Sequence, residues 1–428
     1  MLDLTKELLK KQYKIDDNTL ELFYKAMEDV KVQFEYYDNI REYNQMKVLN
    51  ALQEERISES HFTNSSGYGY GDIGRDSLDK VYARVFNTES ALVRPHFVNG
   101  THAIGCALFG NLRPNDTLLA ITGSPYDTLH NIIGNGIEEN IGSLKDYGVN
   151  YTQIDLKDGK IDLEKVKIEL LENKSIKMIH MQRSTGYGWR KSFLVEELKE
   201  AISFVKNIRE DVIVFVDNCY GELIDTIEPT DVGADLVAGS LIKNIGGGIA
   251  PTGGYIAGKE KFVEQAAFRL TTPGIGGECG STFGVIRQMY QGLFLAPHIS
   301  IEALKTSILC SRIMELAGFE VLPKYDDKRS DIIQAIKFNN PEKLINFCKG
   351  IQKGSPVDSF VECEPWDMPG YKDQVIMAAG AFIQGSSIEL SADAPIREPY
   401  IAYLQGGLTF EHGKIGILIA LSKIINTN

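Results

Sequence analysis

Two short stretches carry the residue types from which chemistry could be built. The run VIVFVD ends on Asp217. The run GADLVAGSLIKNIGGG passes through Ser240 to Lys243, twenty-six residues after Asp217, and into three consecutive glycines. A carboxylate at the end of an apolar strand needs a cation or several hydrogen bonds. Glycines beside the lysine allow a sharp turn close to a planar ligand. Lysine and aspartate on neighbouring strands fit pyridoxal phosphate, with the amine as Schiff-base partner and the carboxylate on the pyridine nitrogen. Unit charges about 4 Å apart at an effective dielectric near 20 attract by ~4 kcal/mol. That is roughly three pKa units before desolvation, enough to keep the ring nitrogen protonated at neutral pH. On spacing alone, the bland alternative is an Asp217 that pairs with a backbone or basic neighbour.

A second lysine competes. Gly253-Gly-Tyr-Ile-Ala-Gly258-Lys259 matches the GxxxxGK of a nucleotide-binding loop. The next residue is Glu260, where such a loop needs Ser or Thr for Mg²⁺, and the glycines lie inside an apparent strand and not ahead of a helix. Lys259 therefore reads as a surface lysine.

The elements that must position Asp217 and Lys243 are visible as an alternation. From about 79 to 260, short apolar runs (116–121, 149–154, 176–182, 211–218, 234–240 and 253–258) alternate with helical patterns such as 163–173 and 195–210. This predicts an α/β fold with a mainly parallel sheet covered on both faces. Functional residues of such sheets gather at the carboxyl ends of strands. Reading after each run gives Asn99-Gly100-Thr101 after RPHFV, Ser124-Pro125-Tyr126, Gln182-Arg183-Ser184, Asp217 and Ser240 to Lys243. Residues 1–57 contain no glycine or proline and read as a helical arm packed on the body or on a second subunit. Residues 58–295 form the large domain, and 296–428 a smaller α+β domain.

Composition narrows the function classes. The chain has 428 residues and a net charge of −13, which disfavours nucleic acid and anionic membrane as partners. Its strongly apolar runs, such as IGILIAL, are too short to span a bilayer. The N-terminus lacks an apolar signal core. Six scattered cysteines with no CxxC pair suit a reducing, cytoplasmic setting. No HExxH is present, and no metal is expected.

VFVDNCYGE and GADLVAGSLIKNIGGG resemble the aspartate and lysine segments of the fold-type I pyridoxal-phosphate enzymes of cysteine and methionine metabolism. With GYGDIGRD, VRPHFVNGTHA, GSPYDTL, STGYGWRKS and QGGL, the chain is similar over about 60–415 to the bacterial methionine γ-lyase-like family often labelled aluminium resistance proteins. The resemblance implies that Asn99, Gly100 and Thr101 hold the cofactor phosphate. A glycine turn opening a helix presents free N–H groups and a favourable dipole to an anion. It implies that Tyr126 stacks on the ring and acts as an acid toward the leaving group, and that Ser240 bonds the phosphate. Tyr70 and Arg75 match a segment that reaches the phosphate across a dimer interface. Ile242 stands where the better-known relatives carry Thr or Ser, so one phosphate contact must come from elsewhere.

The expected reaction is α-proton abstraction by Lys243, then loss of a β- or γ-thiolate from a sulfur-containing amino acid. Aldol cleavage, racemisation and a non-catalytic, regulatory amino-acid-binding role are the alternatives. A guanidinium should hold the substrate carboxylate. Arg397 in ELSADAPIREPY is the candidate and Arg183 its competitor, with Gln182 and Ser184 also facing substrate. Sharing Tyr70 and Arg75 would make the active unit a C2 homodimer, with a tetramer also open. The sequence shows no carboxylate cluster for a hard cation such as aluminium.

Overall fold

The computed structural model describes residues 3–136, 138–368 and 371–425. Seven strands form the central sheet: β1 (Ser90–Arg94), β2 (Thr117–Ala120), β3 (Asn150–Gln153), β4 (Ile176–Gln182), β5 (Ile213–Asp217), β6 (Leu236–Ser240) and β7 (Gly254–Gly258). Their order is β1-β7-β6-β5-β4-β2-β3. Only β7 runs against its neighbours; the other pairs are parallel. The apolar runs of β5, β6 and β7 are buried throughout, as strands covered on both faces must be. Side chains alternate between two cores. Val214 and Val216 join one; Ile213 and Phe215 join the other, with the helix Gly100–Asn111.

Register brings the polar strand ends together. Gln182 of β4 lies opposite Asp217 of β5, and Asp217 lies opposite Ala238, two residues before Ser240. The reversed direction of β7 puts Gly258 beside Leu236, at the start of β6. Lys259 is thus carried to the opposite edge of the sheet, where it pairs with Asp235 at 2.6 Å. The strand before Asn99 ends earlier than the sequence suggests. It stops at Arg94, and Pro95, which lacks an N–H for the ladder, opens the turn to Asn99.

The second sheet is antiparallel: β8 (Glu320–Leu322), β9 (Gln334–Lys337), β10 (Val375–Ala378), β11 (Ser391–Pro395) and β12 (Ile401–Gln405), in the order β10-β11-β12-β9-β8. Helices Pro341–Lys353 and Phe410–Ile425 share its core. The division expected at 295/296 falls inside one continuous helix, Ile286–Leu316. By length and hydropathy that helix could cross a bilayer, which the short apolar runs did not suggest. Its apolar stretch is 78% buried inside the fold, so its residues serve as core.

The N-terminal helices Asp3–Tyr13, Asp17–Asp29 and Lys31–Glu54 pack on their own chain. Leu9, Ile15, Leu20 and Phe23 enter the small-domain core. Tyr37 Oη accepts from the Arg329 N–H at 2.9 Å. The buried Asn44 amide donates to the carbonyls of Leu223 and Asp225 at 3.1 and 3.0 Å, in the loop that follows β5. Asn44→Ala leaves both carbonyls without that donor, and an unmet buried polar group costs about 1–3 kcal/mol. The urea unfolding midpoint should fall; an unchanged midpoint would show that the arm does not brace the loop.

Candidate active site

Gln182, Ser184, Asp217, Tyr126, Thr101 and Lys243 line one cavity. Its floor is the carboxyl edge of the parallel strands. Its opposite wall is the small-domain sheet, through Asp393, Tyr403 and Gln405.

Asp217 is buried and accepts from the Cys219 N–H at 3.1 Å. Behind it on β4, burial lowers the His180 pKa to about 4 against the pull of the Asp217 charge, so this imidazole is neutral. The Lys243 ammonium sits 4.0 Å from the centre of the Tyr220 ring. Burial works against its charge, but Cys219, Tyr220, Asp217 and Glu222 outweigh burial and hold Lys243 above its usual range.

At the other end of the cavity, Gly100 opens a twelve-residue helix. Asn99 is its N-cap, and its side chain is committed to the His102 N–H at 2.9 Å. Asn99 therefore shapes the turn, while the first-turn N–H groups face outward from the helix end. A Cβ on Gly100 would come within 3.2 Å of Ser240 Cβ and 3.4 Å of Cys219 Sγ, so the helix start and β6 meet closely here. The Thr101 and Thr128 hydroxyls pair at 3.1 Å, and the fully buried Ser240 hydroxyl accepts from the Ile242 N–H at 3.3 Å. The residues that line the cavity bring together the first turn of a helix, the Thr101 and Thr128 hydroxyls, a carboxyl group and a lysine. This set fits an anionic, nitrogen-containing ring of the pyridoxal phosphate type.

Other expected residues are placed differently. The Arg183 guanidinium is fully buried and bound within the protein, to Ser330 Oγ and Asn218 Oδ1 at 2.8 Å and Glu228 Oε2 at 3.2 Å. It stands outside the cavity and cross-links the loops around it. Arg75 is spent. All three of its nitrogens are engaged in its own chain, with the carbonyls of Gly69, Gly280 and Glu278 and with Asp76. It clamps two loops and has no fork left for a phosphate. Tyr70 is 68% exposed and stacks on Tyr68. Arg397 lies at the rim, half exposed, and pairs with Asp373 at 2.9 Å. Burial raises the pKa of Asp127 and Tyr403, and the Arg397 charge opposes that rise in both.

Tyr126 is inside, with its hydroxyl 3.0 Å from that of Tyr371. Burial first, then Tyr371 and Asp393, push its pKa well up, so it is a neutral hydroxyl and a weaker acid than ordinary tyrosine. Sequence reasoning did not single out Cys219, Tyr220, Thr128, Tyr187, Asp393, Tyr403 or Gln405. Tyr220 lies three residues after Asp217 in VFVDNCYGE; no spacing rule flags it. Asp393 and Gln405 arrive from a strand pair more than 170 residues downstream of Asp217.

The methionine gamma-lyase family profile matches residues 19–425. A carbon-sulfur lyase involved in aluminium resistance from Clostridium novyi NT is 72% identical, with 99% of this chain and 100% of that one aligned at a TM-score of 0.96. A candidate cystathionine beta-lyase involved in aluminium resistance from Clostridium acetobutylicum is 69% identical over 99% of each chain, also at 0.96. YnbB of Bacillus subtilis, a protein without a characterised function, is 54% identical over 91% of this chain and 92% of its own. With these matches spanning nearly its whole length, the chain belongs to the methionine γ-lyase family of fold-type I, pyridoxal-phosphate-dependent lyases.

Proposed function

We propose that this lyase breaks a carbon–sulfur bond in a sulfur-containing amino acid, releasing a thiol from the β- or γ-carbon. The observation that carries this reading is the placement of Lys243 and Asp217 on adjoining strand ends, inside one cavity with the Gly100 helix terminus. The N–H groups of Gly100 and Thr101 and the hydroxyls of Thr128 and Ser240 would hold the cofactor phosphate, and Asp217 its ring nitrogen. When bound, pyridoxal phosphate supplies an electron sink for the pair left at the substrate α-carbon.

The protein's own groups do the rest. Lys243 is the amine in the cavity that can take the α-proton and return one at the end. Asp217, buried and oriented by the Cys219 N–H, would face the cofactor's ring nitrogen with a negative charge. Tyr126, neutral and tied to Tyr371, offers a hydrogen bond to the departing sulfur. The tyrosine-rich wall keeps water from the reacting carbon.

The neighbouring surface supports a shared site. Tyr68, Tyr70, Val98 and Phe283 are each more than 60% exposed. Their loops touch: Gly280 N–H donates to the Tyr68 carbonyl at 2.8 Å, and Phe283 packs on His96 at 4.8 Å. An exposed apolar face next to Asn99 suits burial against a second copy. In that arrangement Tyr70 reaches the partner's phosphate end, while Arg75 shapes its own loop.

Keto acid and thiol release should be measured with methionine, cystathionine, cysteine and homocysteine. The lyase should release both from at least one; no turnover on any would overturn the reading. Lys243→Ala should lower turnover on the best substrate by at least ~10²–10⁴-fold, the usual worth of a positioned base. A loss of only a few-fold would remove Lys243 from the chemistry. Mixing Tyr70→Phe with Lys243→Ala protein should recover activity in hybrid dimers, and no recovery would mean that each site is self-contained.

A further inference from the structure

The loop that follows Asp217 carries a side chain that the lyase chemistry leaves without a task. Tyr220 holds φ at +69°, a left-handed backbone that residues with a β-carbon seldom adopt. Two contacts hold it. Its carbonyl accepts from Asn244 Nδ2 at 3.0 Å, so the residue after Lys243 grips the loop. Its hydroxyl lies 2.7 Å from Ser387 Oγ, in the small domain between β10 and β11. The ring between these ties has the Lys243 amine 4.0 Å from its centre.

The same small-domain segment meets the lysine segment at a second place. A Cβ on Gly385 would lie 3.8 Å from Ile242 Cδ1, one residue before Lys243. Residues 385–387 therefore rest on both Ile242 and Tyr220. The Tyr220 ring also joins two apolar clusters, one with Ile388 and one with Ile333. A ring held in this way is a defined surface, and its face favours an ammonium over a neutral amine. Asp217, Cys219 and Glu222 also act on Lys243 from β5 and its loop, and Asp393 from the opposite wall.

We infer that Tyr220 is a positioning residue: its ring seats the free amine of Lys243, and the Ser387 hydrogen bond lets the small domain set that seat. This rests on the reading of Lys243 as the reactive amine and adds what holds that amine when it is not joined to the cofactor.

Acetic anhydride labelling of the cofactor-free, full-length chain, followed by peptide mapping, tests it. Only the neutral amine reacts, and Lys259, on the far edge of the sheet, serves as the reference. Tyr220→Phe keeps the ring, Tyr220→Leu removes it, and neither has the hydroxyl. At neutral pH Lys243 should label about tenfold faster in Tyr220→Leu than in Tyr220→Phe, since a desolvated cation over a ring is worth about one pKa unit. The two rates should converge as rising pH neutralises the amine in both. Ser387→Ala and Tyr220→Phe should each label a few-fold faster than wild type, and the double variant no faster than either, because all three lose one and the same hydrogen bond. Equal or slower labelling in Tyr220→Leu, a ratio that holds at every pH, an unchanged Ser387→Ala or additive single effects would each overturn the inference. If Tyr220→Leu does not fold, Ser387→Ala, which leaves the ring in place, decides alone. The labelling needs no substrate and no turnover. Its failure leaves the lyase reading standing, and a chain without lyase activity leaves the labelling result standing.

Discussion

One placement governs the large domain: the Lys243 amine and the buried Asp217 side chain line one cavity at the carboxyl edge of the parallel strands. The groups around Lys243 oppose the effect of burial and hold its pKa above the usual range. The sheet supplies the required rigidity. β5 and β6 are buried along their whole length, so register leaves Asp217 and Lys243 little freedom to separate. Gly100 matters for the same reason, since its missing side chain lets a helix terminus close against Ser240.

The large-domain fold was legible because its strands are short, continuous apolar runs. IKMIHMQ is strand 176–182 to the residue, and the runs ending at Asp217 and Ser240 end there in space as well. Reading polar residues just after such runs found most of the cavity floor. Where this failed, the side chains were already engaged within the protein. Arg75 and Arg183 have the right chemistry and stand in the right segments. Yet Arg75 is consumed by three carbonyls and Asp76, and Arg183 by Ser330, Asn218 and Glu228. Whether a guanidinium is spent depends on chain segments far away in sequence, which no local pattern records.

The small-domain wall was illegible for a related reason. SADAP and IAYLQ announce strands, but their pairing decides which face meets the cavity. Asp393 sits opposite Tyr403 in that pairing, and the Gln405 side chain reaches across to the Asp393 carboxylate. A substrate arginine was expected here, and the wall presents a carboxylate among tyrosines.

The central claim is that Lys243, and no other lysine, carries the cofactor. Its direct measurement is borohydride reduction of protein incubated with pyridoxal phosphate, followed by peptide mapping. The account predicts a visible absorption band that reduction abolishes, and a stable pyridoxyl group on the peptide containing Lys243. A colourless protein that takes up no cofactor, or a label on Lys259 or another lysine in place of Lys243, would contradict it.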